Sequence, residues 1–328
     1  MSSKPSSLLY YAAVIEVPFA LVTMVFGALT TTKNAGMAFA DWPTSDGYFM
    51  VTYPWLRDFA QNWDKFLEHG HRLFALGTGF WTILLVLLAF WLEDRKWVKW
   101  LAVGVLLGVI SQGLLGGFRV RLNERGLAML HGIFAALFFS VVGMMVAVTN
   151  PRWRRISDEL SDGSPRNMNS LKRWGIACIL LVLTQYVYGS LIRHQGTGLH
   201  EHLGLGFLVL IAVIGNTVVS YRQPILWLRR SSLVLVLLTF TQVLFGLKTW
   251  VLKFGFPHMG YVAVADSIQA VSLRTLHMVW GACLLMAAVV HVLKVYRIAK
   301  VTNVTKAVDT VSTAPSPAAT VRPLGGHS

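Results

Sequence analysis

Long apolar runs alternate along the chain with short polar or basic breaks. Crossing a bilayer takes about 20 residues of helix, and eight runs reach that length: 9–31, 64–91, 98–118, 126–149, 172–193, 199–220, 226–249 and 269–293. The pattern predicts an all-α integral membrane protein with eight transmembrane helices.

The runs fall into two sets of four around a basic segment, 151–171, that contains Pro151, Gly163 and Pro165. Short signatures recur in the same order in both sets. Gly27-Ala-Leu with Gly36-Met37 downstream matches Gly189-Ser-Leu with Gly198-Leu199, and Gln112 with Gly116 matches Gln242 with Gly246. His69-Gly-His71 opens the second run and His200-Glu-His202 the sixth; Leu130-His131 and Leu276-His277 mark the last run of each set. Each set has an even number of helices, so the repeat is parallel, about an axis along the membrane normal. The expected organisation is two pseudo-symmetric four-helix bundles, 1–150 and 172–299, joined by the linker. The Thr/Ala/Pro/Ser-rich tail, 300–328, has the composition of a disordered segment.

Composition agrees with this picture. Of 328 residues, 55% are hydrophobic and 13% charged, against about 25% charged in soluble domains. Basic residues concentrate in alternate loops: Lys4, then Arg95, Lys96 and Lys99, then the 152–173 cluster, then Arg222, Arg229 and Arg230, then the C-terminal segment. The positive-inside rule therefore predicts N-in/C-in orientation in the cytoplasmic (inner) membrane. The net charge of +14 points to anionic lipid headgroups rather than nucleic acid, because the cations are scattered over loops. The first run is too long for a signal peptide's apolar core and shows no small-residue cleavage site, so it reads as a retained helix. Cys178 and Cys283 fall inside predicted helices, which leaves no loop disulfide.

Four histidines lie a short way into alternate runs: His71, His131, His202 and His277. Each enters from the same membrane face, so all four share a depth. Facing helices of a bundle commonly build cofactor sites, and axial imidazole is a standard haem ligand. The expected pairs are His71 with His131 and His202 with His277. The bland alternative, one histidine bonding a neighbouring helix, explains a single case better than four repeat-related ones. Glu68 precedes His71 by one helical turn, whereas the position equivalent to it before His202 is Leu199. A carboxylate at only one pair makes the first half the reaction chamber and the second the electron-delivery half. Arg274, one turn before His277, is a candidate anchor for a haem propionate; Arg72, Arg119, Arg121 and Arg125 are further candidates. His69 and His200 point away from their neighbours and rank second, His200 being a substitute for His202 if the helix starts later. His194, His258 and His327 fall in loops or the tail, and His291 at the cytoplasmic end of the last helix. In the loop 32–63, Trp42, Trp55 and Trp63 suit either an interfacial belt or packing over the first-half cavity.

Several segments resemble the haem A synthase family: AGMAFADWP (Ala35 to Pro43), EHGHR (Glu68 to Arg72), QGLLGGFRVR (Gln112 to Arg121), Leu130-His131-Gly132, and the series Gln185, Gly189, His202, Gln242, Gly246 and His277. The likeness runs over roughly residues 15–295. It implies oxidation of the C8 methyl of haem O to the formyl of haem A for cytochrome oxidase. It further implies a catalytic Glu68, a substrate haem between His71 and His131, and a haem b cofactor on His202 and His277. Implied partners are haem O, haem A, haem O synthase and oxidase-assembly proteins, with an electron donor the sequence does not name. Two departures stand out. The first outer loop lacks the cysteine pair of many bacterial members, and Leu203, not arginine, follows His202. The last outer loop, about 250–268, carries an insertion. Two rival readings account for the same histidines: a diheme b-type electron-transfer cytochrome, and a haem carrier or assembly factor without chemistry of its own.

Overall fold

Hydrocarbon offers no partner to an open backbone, so a spanning segment must pair every N–H and C=O within itself, as a helix does. The computed structural model describes residues 7–156, 165 and 167–312. Its helices are α1 (Ser7–Thr32), α2 (Trp55–Gln61), α3 (Trp63–Leu92), α4 (Lys96–Leu122), α5 (Arg125–Thr149), α6 (Pro151–Arg155), α7 (Met168–Gln195), α8 (Leu199–Tyr221), α9 (Leu226–Phe254) and α10 (Ile268–Ser312). All but α2 and α6 are long and apolar enough to cross a membrane. The chain is a multi-pass membrane protein.

Local chemistry sets the boundaries. The Asn62 side chain caps α3 by accepting from the Lys65 N–H at 3.1 Å. Gly196 and Gly198 adopt φ of +73° and +85°, the left-handed conformation that glycine enters without steric cost. They reverse the chain between α7 and α8. His194, expected in a loop, therefore lies in the last turn of α7, since nothing breaks that helix before Gly196. At the far end α10 runs on past residue 300 to Ser312. The expected disorder does not begin at 300 because no glycine or proline interrupts the chain before Pro315. Residues 313–328, with His327, and 157–164 and 166 of the linker lie outside the described residues.

Helices α1, α3, α4 and α5 touch in a closed cycle, each against the next and α5 back against α1. Helices α7, α8, α9 and α10 touch in the same cyclic order, with α10 back against α7. The two sets meet through α5 on α10, α1 on α10 and α5 on α7. Leu85, Val142 and Met145 join Leu228, Val295 and Ile298 in one buried cluster, and Phe139 joins Leu235 and Leu285 in another. Two polar ties fasten the assembly. Glu93 accepts from Arg95 at 2.8 Å and from Arg154 at 2.6 Å, and Arg95 also donates to the Val148 carbonyl at 2.9 Å. Across the halves, Arg193 of α7 donates to the Ala28 carbonyl and the Thr32 hydroxyl of α1, each at 2.6 Å.

Candidate functional site

The starts of α3, α5, α8 and α10 stand at one end of the molecule, and each carries one of the four histidines near that end. The rings meet in the expected couples. His71 and His131 have centroids 5.9 Å apart and planes at 88°; His202 and His277 have 6.1 Å and 79°. An imidazole nitrogen bonds a first-row metal ion at about 2.0–2.1 Å. The ring centre lies about an ångström further back, so one ion gripped from both sides sets the centroids about 6 Å apart. Both couples match that separation. Among the described residues no group of three or more His, Cys, Asp or Glu side chains converges as a metal site. A pair suits a planar macrocycle, which supplies the remaining ligands itself.

Each imidazole stands on a glycine of the neighbouring helix. A Cβ built on Gly27 would lie 2.8 Å from His71 Cε1, on Gly246 3.1 Å from His277 Cε1, on Gly189 3.3 Å from His202 Cε1, and on Gly116 3.4 Å from His131 Cε1. At Gly27 a side chain would force the ring to shift, at Gly246 and Gly189 it would crowd the ring, and at Gly116 it would come to the edge of ordinary contact. Four residues before each glycine a polar group holds the same histidine. The Thr23 carbonyl bonds His71 Nδ1 at 2.9 Å and the Gln185 carbonyl bonds His202 Nδ1 at 3.1 Å. The Gln185 amide donates to the His202 carbonyl at 2.7 Å and the Gln242 amide to the His277 carbonyl at 3.0 Å. Turned with its nitrogen toward α5, the Gln112 amide donates to the His131 carbonyl at 3.2 Å. A carbonyl on Nδ1 fixes the tautomer and leaves Nε2 with the lone pair that binds metal.

The two couples differ in their surroundings. Glu68, 3% exposed, accepts from Arg72 at 2.6 Å and from the backbone N–H groups of Ala38 at 2.7 Å and Phe39 at 3.3 Å. Arg72 donates onward to the carbonyls of Asp41 and Thr44 at 2.9 and 2.7 Å, and Arg119 to that of Gly36. The Trp42 ring covers Gly117, where a Cβ would approach within 2.5 Å, and Trp55 stacks on Phe66. The 35–58 segment is thus packed as a roof over the first couple, and two of the three tryptophans serve the roof rather than a lipid belt. Within it, Asp41 accepts from Asp46 and Gly47 N–H groups, both at 2.9 Å. Its slight burial pushes the carboxyl up, but these bonds and one from Thr44 outweigh that and hold it at about 2.

Around the second couple lie buried polar atoms without hydrogen-bond partners: Gln185 Oε1, Tyr186 OH, Gln242 Oε1 and Thr249 Oγ1. Arg274, expected to face a propionate, bonds Asp266 at 3.2 Å and the Ala270 carbonyl at 3.3 Å. His69 bonds Ser45 Oγ at 3.0 Å and His200 is exposed, so neither joins a couple. His258 sits in a short 3-10 turn. His291 is buried between Asn216 and Ser231, apart from the couples.

The stretch 61–202 matches the family model COX15-CtaA, cytochrome oxidase assembly protein. Over that stretch, a little under half of its length, the chain is similar to this family. The match begins at the end of α2 and stops at His202, so it holds Glu68, His71, His131 and His202 but not His277. It is narrower than the 15–295 over which the motifs resemble haem A synthases. No curated protein matches the chain. The glycine cradle and the Arg193 tie escape a reading of motifs alone, although the repeated Gln-x-x-x-Gly spacing at 112–116, 185–189 and 242–246 carries the signal for the first.

Proposed function

We propose that the protein is a haem A synthase, an oxidoreductase that converts the C8 methyl of haem O to the formyl group of haem A. One observation carries this reading: two imidazole couples at the spacing of an axial haem clamp, with a buried carboxylate beside only one. In it, His71 and His131 hold the substrate haem, and His202 and His277 hold a haem b. The iron, when bound, supplies one-electron chemistry at a potential tuned by its ligands and their hydrogen bonds.

The chain's own part is positioning, sealing and proton handling. Thr23 and Gln185 orient the ligand rings, and the four glycines let them stand upright. The roof excludes water from the first chamber, with Glu68 and Arg72 as its clasp. Glu68 is the group we assign to accept or relay the protons that oxidation of a methyl group releases. Arg274 is then a propionate anchor once Asp266 yields. The basic loops favour N-in/C-in insertion in the inner membrane, with both couples near the outer face.

The close likeness of the two couples favours a second reading, a diheme electron-transfer cytochrome. Mass analysis of pigment extracted from the purified protein decides between them. Hydroxymethyl- or formyl-haem supports the synthase; haem B alone, from cells able to make haem O, overturns it.

A further inference from the structure

At the end of the molecule opposite the histidines, two cations of α10 lie against a pair of tryptophans. Lys294 Nζ stands 5.1 Å from the Trp227 ring centre and Arg297 Cζ 5.8 Å from that of Trp153. The two rings pack edge to face at 6.1 Å, and Arg297 Nε donates to the Trp153 carbonyl at 3.3 Å. Trp153 and Trp227 are buried, at 6% and 8% exposure, so the platform is rigid. Lys294 and Arg297 are three residues apart, hence on one helix face a single turn apart.

Among the described residues no carboxylate forms an ion pair with Lys294 or Arg297. Lys294 has Arg152 as an electrostatic neighbour and Arg297 has Arg95. The buried carboxylate nearby, Glu93, is already shared by Arg95 and Arg154. Cation–π contact offsets part of the desolvation of Lys294 and Arg297 but supplies no counter-charge. Depth identifies where a counter-charge comes from. Lys294 lies 17 residues beyond His277, about 26 Å along α10 at 1.5 Å per residue. The histidines sit near one edge of a hydrocarbon layer about 30 Å thick, so this cluster stands at the other edge, at headgroup level.

We propose that Lys294 and Arg297, on the Trp153–Trp227 platform, form a binding site for the phosphate headgroup of an anionic phospholipid. Lys294 supplies a point charge and Arg297 a planar fork for phosphate oxygens. The tryptophans hold both at the headgroup boundary, where indoles are favoured. The plain alternative is two side chains snorkelling toward bulk lipid without preference.

The test uses the full-length protein in nonionic detergent, titrated with phosphatidylglycerol, phosphatidylcholine or inorganic phosphate, and read by native mass spectrometry and thermal unfolding. Phosphatidylglycerol should stay bound through detergent exchange and raise the unfolding temperature, with phosphatidylcholine weaker by about tenfold, the order expected from charge-assisted hydrogen bonds. K294Q/R297Q should lose that selectivity, whereas K294R and the distant control K253Q should keep it. Melting of the double variant in phosphatidylcholine shows whether it is folded; if it is not, K294M alone carries the comparison. Equal retention of the two lipids by the wild-type protein, selectivity unchanged in the folded variant, or full substitution by inorganic phosphate would each overturn the proposal.

Discussion

Gly27 and His71 belong to different helices, and the imidazole edge lies where a Cβ on the glycine would stand 2.8 Å away. The other three histidines repeat the relationship at slightly longer distances. Gly27→Ala should therefore displace His71 and, under the haem A synthase reading, lower the haem content of the first site while sparing the second. Gly116→Ala, at 3.4 Å, should be the mildest of the four. Haem-to-protein ratios from pyridine haemochrome spectra rank the series; a uniform effect across the four, or none, contradicts the packing argument.

Glu68→Gln keeps the side chain's shape but removes the charge shared with Arg72 and the roof. Under the synthase reading, haem binding persists and formyl-haem production stops. Removing one partner of a buried pair typically costs about 3–5 kcal/mol, so a lowered unfolding temperature should accompany the loss. Normal haem A yield from this variant removes the catalytic assignment.

Glu93 lies between two spanning helices. Burial pushes its carboxyl up, but the hydrogen bonds from Arg95 and the charges of Arg95 and Arg154 outweigh that and hold it below the ordinary range. A carboxyl depressed in the folded state stabilises the protein above its unfolded pKa, and the stabilisation fades as pH falls toward the folded value. Glu93→Gln should thus lower thermal stability at neutral pH, and the gap from wild type should narrow progressively below about pH 4.5, the ordinary glutamate range. A gap constant across that window argues against the ion pair as its source.

Arg193 ties α7 to α1 through two charge-assisted bonds, each class of bond being worth about 1.5–3 kcal/mol. Arg193→Met should weaken the contact between the two sets of helices by a similar amount. Under the haem A synthase reading the haem spectra should stay unchanged, because Arg193 bonds α1 backbone and hydroxyl rather than a histidine. Thermal unfolding and visible spectra on one preparation separate these effects, and a spectral shift would place Arg193 in a haem site instead.

The spanning helices were legible because hydrocarbon admits only one backbone solution for a long apolar run. The predicted 64–91 and 126–149 grew by a residue or a few in α3 and α5, since caps such as Asn62 lie in the polar flank. The tail reading failed at 300–312, where composition suggested disorder but nothing broke the helix. Glu68 was visible as an acid one turn from His71. Its clasp with Ala38 and Phe39 was not, because those partners come from a loop some thirty residues upstream whose path no periodicity encodes.

The amino-acid order alone determined the number of crossings, the recurrence of Gln and Gly, and the placing of one histidine near the same end of four alternate helices. These follow from local rules: apolar length, helical spacing and alternation of direction. Which histidine meets which, at what separation, over which glycine, and under which loop was decided by tertiary packing. Close approach between helices depends on the shape of both surfaces at once, and a single run of sequence specifies only one of them.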